Sequence, residues 1–323
     1  MKEGMGSGTA PVIVIVGPTG VGKSSLAVAL AERVGGEIVC ADSMQVYRHL
    51  DVGTAKATAE ARRRVPHHLV DLLNPDQPFT AADYGRRARA AISDIRERGH
   101  VPIMVGGTGL YLRACLRGLF DGPGEDVALR RALRQEAMRT DLPSLHSRLR
   151  DLDPKAAAAI HPNDLFRIVR ALEVAAITGR PISTLREESR RYDEPMPGRV
   201  LRFGLGRSRE ELYRRIDERV EEMMARGLLG EVRWLLDRGY SPDLKPLRAI
   251  GYRHMIEHLS GRSTLDEAVD RLKRDTRRYA KRQLTWFRHE EGVTWYPVEG
   301  PDVSEPLLRA FIERIEGAWA NTA

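Results

Sequence analysis

Short unbroken apolar runs alternate with longer amphipathic stretches over the first third of the chain. PVIVIV (11–16), EIVC (37–40) and VPIMV (101–105) have the length of strands whose two faces are both covered. Between them, SSLAVALAERV (24–34) and the stretch from Ala81 to Arg98 repeat apolar residues at helical spacing. Strands joined through helices predict an α/β fold, a parallel sheet core covered by helices. Ligands of such sheets sit beyond the carboxyl ends of the strands. Three of those ends are informative here: GPTGVGKS after Val16, Asp42-Ser43 after Cys40, and Gly106-Gly107-Thr108 after Val105.

The pattern changes near Asp121-Gly122-Pro123-Gly124. From Asp126 to Leu185 the apolar spacing is helical throughout, with breaks at Pro143, Pro154, Pro162 and Pro181 and no strand candidate. An all-helical insertion domain at 121–197 is expected, closing at the turn Pro195-Met196-Pro197-Gly198. VLRFGL (200–205) then reads as a strand that returns to the sheet. Helices are expected at Arg209–Arg226, Gly230–Arg238, Thr264–Arg288 and Glu305–Glu316. The P-loop α/β core thus comprises 11–120 and 198–323. Residues 1–10 are Gly-rich and polar and are expected to form a disordered tail.

The segment Gly17-Pro18-Thr19-Gly20-Val21-Gly22-Lys23-Ser24 fits G-x-x-x-x-G-K-[ST] and lies between a strand and a helix. Glycines let backbone N–H groups wrap an anion, Lys23 adds a mobile positive charge, and the Ser24 hydroxyl is a ligand for magnesium. A phosphate or diphosphate is expected there, but the loop does not name its owner. Asp42 at a neighbouring strand end suits magnesium binding or proton abstraction, or simply caps the following turn. Thr108 is placed to N-cap the helix after Gly106-Gly107. His67-His68 point to opposite faces of an extended segment and read as packing or hydrogen-bonding residues.

The formal net charge is +7. Arg271, Lys273, Arg274, Arg277, Arg278, Lys281, Arg282 and Arg288 face only Asp275 within one helix-length stretch. A single-sign face of this kind suits a polyanion, or else pairs with acids on neighbouring helices. Leu265, Val269, Leu272, Thr276 and Tyr279 recur at helical spacing in the same stretch, which predicts a core-facing stripe with the arginines outward. Cys40 and Cys115 are read as buried thiols rather than a disulfide or metal pair. No apolar run is long enough to span a bilayer, so a cytoplasmic, membrane-free protein is expected.

Six strings occur in order: GPTGVGKS (17–24), ADSMQVYRHLDVGTAKAT (41–58), VPHHLVDLL (65–73), GGTGLYLRA (106–114), HPNDLFRIVRALEV (161–174) and TRRYAKRQLTWFRHEEGV (276–293). Together they resemble the tRNA dimethylallyltransferase family, the bacterial tRNA isopentenyltransferases. The resemblance implies transfer of a dimethylallyl group from dimethylallyl diphosphate to N6 of the adenosine just 3′ of the tRNA anticodon. It implies Mg2+ as cofactor, held through Ser24, the anticodon stem-loop as partner, and a monomer. The phosphate loop would grip the departing diphosphate, Asp42 would act as general base, and Thr108 would be a second polar group of the active site. Implied tRNA contacts are Asp42, Ser43, Met44 and Gln45; Thr108; Arg130; Asn163, Asp164, Leu165, Phe166 and Arg167; and Leu247, Arg248, Ala249, Ile250, Gly251 and Tyr252. Many bacterial relatives have Gln where this chain has Phe166, which departs from the pattern while Arg167 keeps it.

Two other readings compete. In a phosphate-loop kinase for a small molecule, Arg130, Arg131, Arg134 and Arg139 would close over ATP. In an RNA-binding module, the phosphate loop would only anchor a backbone, and Asp42 would have no part in chemistry.

Overall fold

A computed structural model describes residues 10–119, 122–190 and 195–320. The expected N-terminal tail, apart from Ala10, lies outside them, as does Asp121 at the expected insertion boundary. Six strands, β1 (Val12–Val16), β2 (Gly36–Cys40), β3 (His67–His68), β4 (Val101–Val105), β5 (Val200–Gly206) and β6 (Val293–Pro297), form one sheet in the order β3-β2-β4-β1-β5-β6. Every pairing is parallel. The helices, in chain order, are α1 (Lys23–Val34), α2 (Ala59–Arg64), α3 (Ala81–Glu97), α4 (Gly109–Arg117), α5 (Val127–Arg139), α6 (Leu142–Leu152), α7 (Pro154–Ala159), α8 (Leu165–Thr178), α9 (Ile182–Arg190), α10 (Arg209–Ala225), α11 (Leu228–Asp237), α12 (Tyr252–Leu259), α13 (Leu265–Arg288) and α14 (Glu305–Ala320).

The continuous apolar strands follow from burial on both sides. Val12, Val14 and Val16 enter one core layer with residues of α3, α4, α11 and α12, whereas Ile13 and Ile15 enter the other with residues of α1 and α14. Side chains alternate along the strand, so an apolar residue is needed at every position of β1. Capping marks several helix starts. Thr80 and Asp83 form a reciprocal capping box for α3, and Thr264 and Glu267 do the same for α13.

The chain divides into two compact units. One combines residues up to Leu116 with those from Met196 onward, and the other is Arg117–Pro195. Met196 N–H donates to Leu116 C=O at 3.0 Å, which closes the first unit across the excursion. The second unit is helical, with its own core around Leu133, Leu145, Leu149, Ile168 and Leu172. Its prolines act as helix starters: Pro143 and Pro154 sit at first-turn positions of α6 and α7, and Pro181 directly precedes α9. Glu173 is fully buried and is held by Arg130, Arg170 and the Asp126 N–H.

The sheet has two strands beyond those expected. β3 is only two residues long, and β6 is half-exposed, so neither has the apolar signature of the inner strands. Trp295 of β6 covers Gly204 of β5, where a Cβ atom would lie 2.7 Å from the indole. Helices α2 and α12 were also not anticipated. Cys40 and Cys115 are free and buried, as expected. His68 binds Glu37 at 2.6 Å and His67 binds the Val65 carbonyl at 2.8 Å, which makes both hydrogen-bonding residues. Among the described residues no helix is long and apolar enough to cross a membrane.

Candidate active site

The phosphate loop leaves β1 and enters α1. Gly22 has φ of +105°, and a Cβ atom there would lie 2.7 Å from the Asp302 carboxylate, so glycine is required. As N-cap, Gly22 offers no side-chain bond to the first turn of α1. The leading N–H groups of that helix are therefore left for an anion. Lys23 Nζ donates to the Pro18 carbonyl at 2.7 Å, curling back over the loop. Burial lowers the Lys23 pKa to about 7, with the nearby Arg219 charge adding to the effect and Asp42 opposing it.

The loop is braced from two sides. Arg215 Nε donates to the Gly20 carbonyl at 3.0 Å and Arg207 Nε to the Val21 carbonyl at 3.2 Å. Both guanidiniums meet Asp302. On the other side, Gln283 of α13 accepts the Thr19 N–H at 2.8 Å and donates to the Gly107 carbonyl at 2.9 Å. Helix α13 comes close enough there that a Cβ atom on Gly107 would overlap the Gln283 amide.

Asp42 follows the end of β2. Its Oδ1 accepts the Met44 N–H at 2.8 Å and the Gln45 N–H at 3.4 Å. The turn-capping role is thus present, and it fixes the carboxylate in a cavity of about 710 Å³ that Lys23, Ser24 and Arg219 also line. A carboxylate, an amine and a guanidinium converge between the phosphate loop and the end of β2. Desolvation lowers the Arg219 pKa and the Asp42 charge counters it. The Cys40 thiol, buried beside Asp42, is pushed up to about 12, which leaves it protonated and bonded to Gln45 Oε1 at 3.2 Å.

The expected site residues separate by position. Thr19, Gly20 and Gly22 join Lys23 and Ser24 in lining the cavity, and so do Ser43, Met44 and Gln45. Arg248, Ala249, Ile250 and Tyr252 also line it, whereas Leu247 is fully buried in the core. Thr108 does not use its hydroxyl as the expected helix cap. β2 and β4 are neighbours in the sheet, so their following loops touch, and Thr108 Oγ1 accepts the Ser43 N–H at 3.1 Å. Tyr279 lies beside it.

Tyr279 corrects the expected core stripe of α13. It lines the cavity with Arg282 and Gln283, and burial, with the Asp42 charge, raises its pKa to about 12. The outward placement of the basic residues also needs correction. Arg277 binds Asp217 through bonds of 2.6 and 2.7 Å, and Lys273 pairs with Glu221, both acids on α10. Arg274 and Arg278 remain exposed.

In the second unit, Arg130 is bound by Glu173 and Glu125, both at 2.8 Å. Asp164 N-caps α8 through the Arg167 N–H at 3.1 Å, and Leu165 packs on the local core. Asn163, Phe166 and Arg167 are exposed, Phe166 by 67%.

Arg219, Gln283 and Asp302 were not anticipated. Arg215 and Arg219 stand one position before Ile216 and Val220, on the flank of the buried stripe of α10. That spacing was the available signal for a charge carried to the edge of the core.

This combination of a parallel sheet, an uncapped phosphate-loop helix and a carboxylate that shares its cavity defines a phosphate-loop α/β enzyme. The family model described as IPP transferase matches residues 45–290. A tRNA dimethylallyltransferase of Syntrophobacter fumaroxidans is 54% identical over 311 residues, covering 93% of this chain and 90% of that one. Another, from Geobacter metallireducens, is 53% identical over 297 residues, covering 92% and 95%. The crystal structure of the tRNA isopentenylpyrophosphate transferase of Bacillus halodurans superposes with a TM-score of 0.71 at 42% identity, covering 97% of each chain. A eukaryotic dimethylallyltransferase acting on tRNA superposes with a TM-score of 0.73 at 30% identity, over 95% of this chain and 78% of that one. The chain belongs to the IPP transferase family and is a prenyl-transferring enzyme.

Proposed function

We propose that the protein transfers a dimethylallyl group from dimethylallyl diphosphate to N6 of the adenosine 3′-adjacent to the anticodon in tRNA, acting as a monomer. The observation that carries this reading is the shared cavity of Lys23, Ser24, Arg219 and Asp42. It sets cationic and amide donors for a leaving group opposite an acceptor for a proton. The names of the relatives support tRNA as the substrate.

The phosphate-loop amides and Lys23 hold the diphosphate, and Arg219 adds a second positive charge on the cavity side. These groups stabilise the charge that grows on the departing oxygen as the allylic C–O bond breaks. The adenine amine is a weak nucleophile because its lone pair is delocalised into the ring. Asp42 accepts its proton as the C–N bond forms, while its Oδ1 stays anchored by the turn amides. The target base leaves the anticodon-loop stack to reach the cavity.

Magnesium fits this site through Ser24, at the first turn of α1 and exposed to the cavity. Among the described residues no three His, Cys, Asp or Glu side chains converge on a metal position. The remaining oxygen ligands would be those of the diphosphate and water, as this small hard cation prefers. Bound there, the ion would neutralise charge on the leaving group.

Incubation with dimethylallyl diphosphate, magnesium and unmodified tRNA, followed by nucleoside analysis, tests the reading. N6-isopentenyladenosine is the expected product. With ATP added to a parallel incubation, its consumption with no modified nucleoside in either would point to a kinase instead.

A further inference from the structure

The turn at residues 51–54 is held by a side chain that does not line the cavity. Glu231 on α11 accepts three consecutive backbone N–H groups: Oε2 takes Asp51 at 3.0 Å and Val52 at 2.7 Å, and Oε1 takes Gly53 at 3.1 Å. Oε1 also accepts the Tyr252 hydroxyl at 2.6 Å. Successive amides converging on one anion form a nest, here filled by an internal carboxylate. A Cβ atom on Gly53 would lie 2.6 Å from the Tyr252 ring, so the turn is pressed onto that ring.

The turn is bracketed by strained backbone. His49 and Ala55 have φ of +66° and +45° although neither is glycine. Lys56, directly after it, is buried and donates to the Tyr47 carbonyl, Asp51 and Asp71 at 2.8, 2.5 and 2.7 Å. Such a conformation persists only where its surroundings hold it. Gly53 and Thr54 of the turn line the cavity, and the Thr54 carbonyl accepts Gln45 Nε2 at 3.1 Å. With Cys40 bonded to Oε1, both ends of the Gln45 amide are set.

We propose that Glu231 is a positioning residue for RNA recognition, acting through the 51–54 turn to orient the Gln45 amide in the cavity. The inference rests on the reading of Gln45 as a tRNA contact. Glu231 lies on a different element from the phosphate loop and bonds none of it. Its effect therefore falls on the RNA and not on the donor.

A double-mutant cycle of Glu231→Gln and Gln45→Ala tests this, measured once as kcat/KM for tRNA at saturating donor and once as tRNA affinity without donor. Glu231→Gln turns an amide donor toward the nest and should lower kcat/KM for tRNA on the order of 10- to 100-fold, the loss expected of a displaced contact group. The KM for dimethylallyl diphosphate should stay within about twofold, and the double variant should lose little beyond the worse single one, as coupled residues do. Losses that multiply in the double variant, or a donor KM that rises as much as the tRNA term, would overturn the proposal. If Glu231→Gln does not fold, Tyr252→Phe keeps the ring on Gly53, removes one bond to Oε1 and enters the same cycle. Wild-type protein that binds tRNA without transferring a prenyl group sinks the proposed function alone, because the affinity cycle still judges Glu231. Wild-type protein that does not bind tRNA sinks both.

Discussion

Gln283 bonds Thr19 and Gly107 at once, so one amide on α13 ties the phosphate loop to the loop that follows β4. The basic helix and the anion cradle are mechanically joined at that point. Thr108, next to Gly107, continues the connection to Ser43 beside Asp42.

Replacing Gln283 by Leu keeps the volume and leaves the Thr19 N–H and the Gly107 carbonyl without their partner. Both bonds are partly buried at the cavity wall, so each lost partner costs about 1 kcal/mol, the low end for an unsatisfied group. A lower melting temperature together with a raised KM for dimethylallyl diphosphate is expected. A variant that melts earlier but keeps its donor KM would confine Gln283 to folding.

Asp42 has two roles that a single substitution separates. Asp42→Asn retains an oxygen for the Met44 and Gln45 amides, so tRNA affinity and melting temperature should stay near wild type. Turnover should fall by roughly 10²–10⁴, the usual worth of a general base. Asp42→Ala should lose the turn as well and weaken tRNA binding. Near-normal turnover in Asp42→Asn would remove the base assignment.

The lowered pKa of Lys23 makes donor binding pH-dependent with a definite sign. Free protein holds Lys23 half-neutral near pH 7, and a bound diphosphate favours the charged form. Binding above that pH therefore requires proton uptake, and affinity should fall as pH rises from 7. Lys23→Arg stays charged throughout and should lose this extra slope. Calorimetric titration of diphosphate in buffers of differing ionisation enthalpy measures the proton directly; equal slopes in both proteins would refute the assignment.

On α13 the exposed Arg274 and Arg278 differ from Arg277, which is committed to Asp217. Replacing Arg274 and Arg278 by Gln should weaken tRNA binding and flatten its salt dependence by about 0.7 per lost phosphate contact. Arg277→Gln should act mainly on the melting temperature, by up to about 1 kcal/mol in stability. An unchanged salt slope in the stably folded double variant would show that RNA does not lie on this face.

The sheet was legible because its inner strands are dominated by apolar runs, with Glu37 of β2 and Arg202 of β5 as charged exceptions, a pattern that burial on both faces demands. β6 was not, since its half-exposed Val293–Pro297 run owes its place to pairing with β5. The phosphate loop and Asp42 were legible from local spacing. Arg219 and Gln283 reach the cavity from α10 and α13, and their contacts span more than 170 residues of sequence. Nothing local to them sets such contacts. Tyr279 misled for the same reason: helical spacing identifies a face, and here that face meets both core and cavity.

The hydrogen bond between Met196 and Leu116 bears on how the first unit tolerates its interruption. From the side of the sheet, residues 117–195 amount to a loop whose two ends already touch. The entropy of closing a loop grows only with the logarithm of its length, and a loop with its own folded core has little left to lose. The length between these two positions is therefore almost free to vary, and a short turn joining Leu116 to Met196 would leave every strand pairing in place.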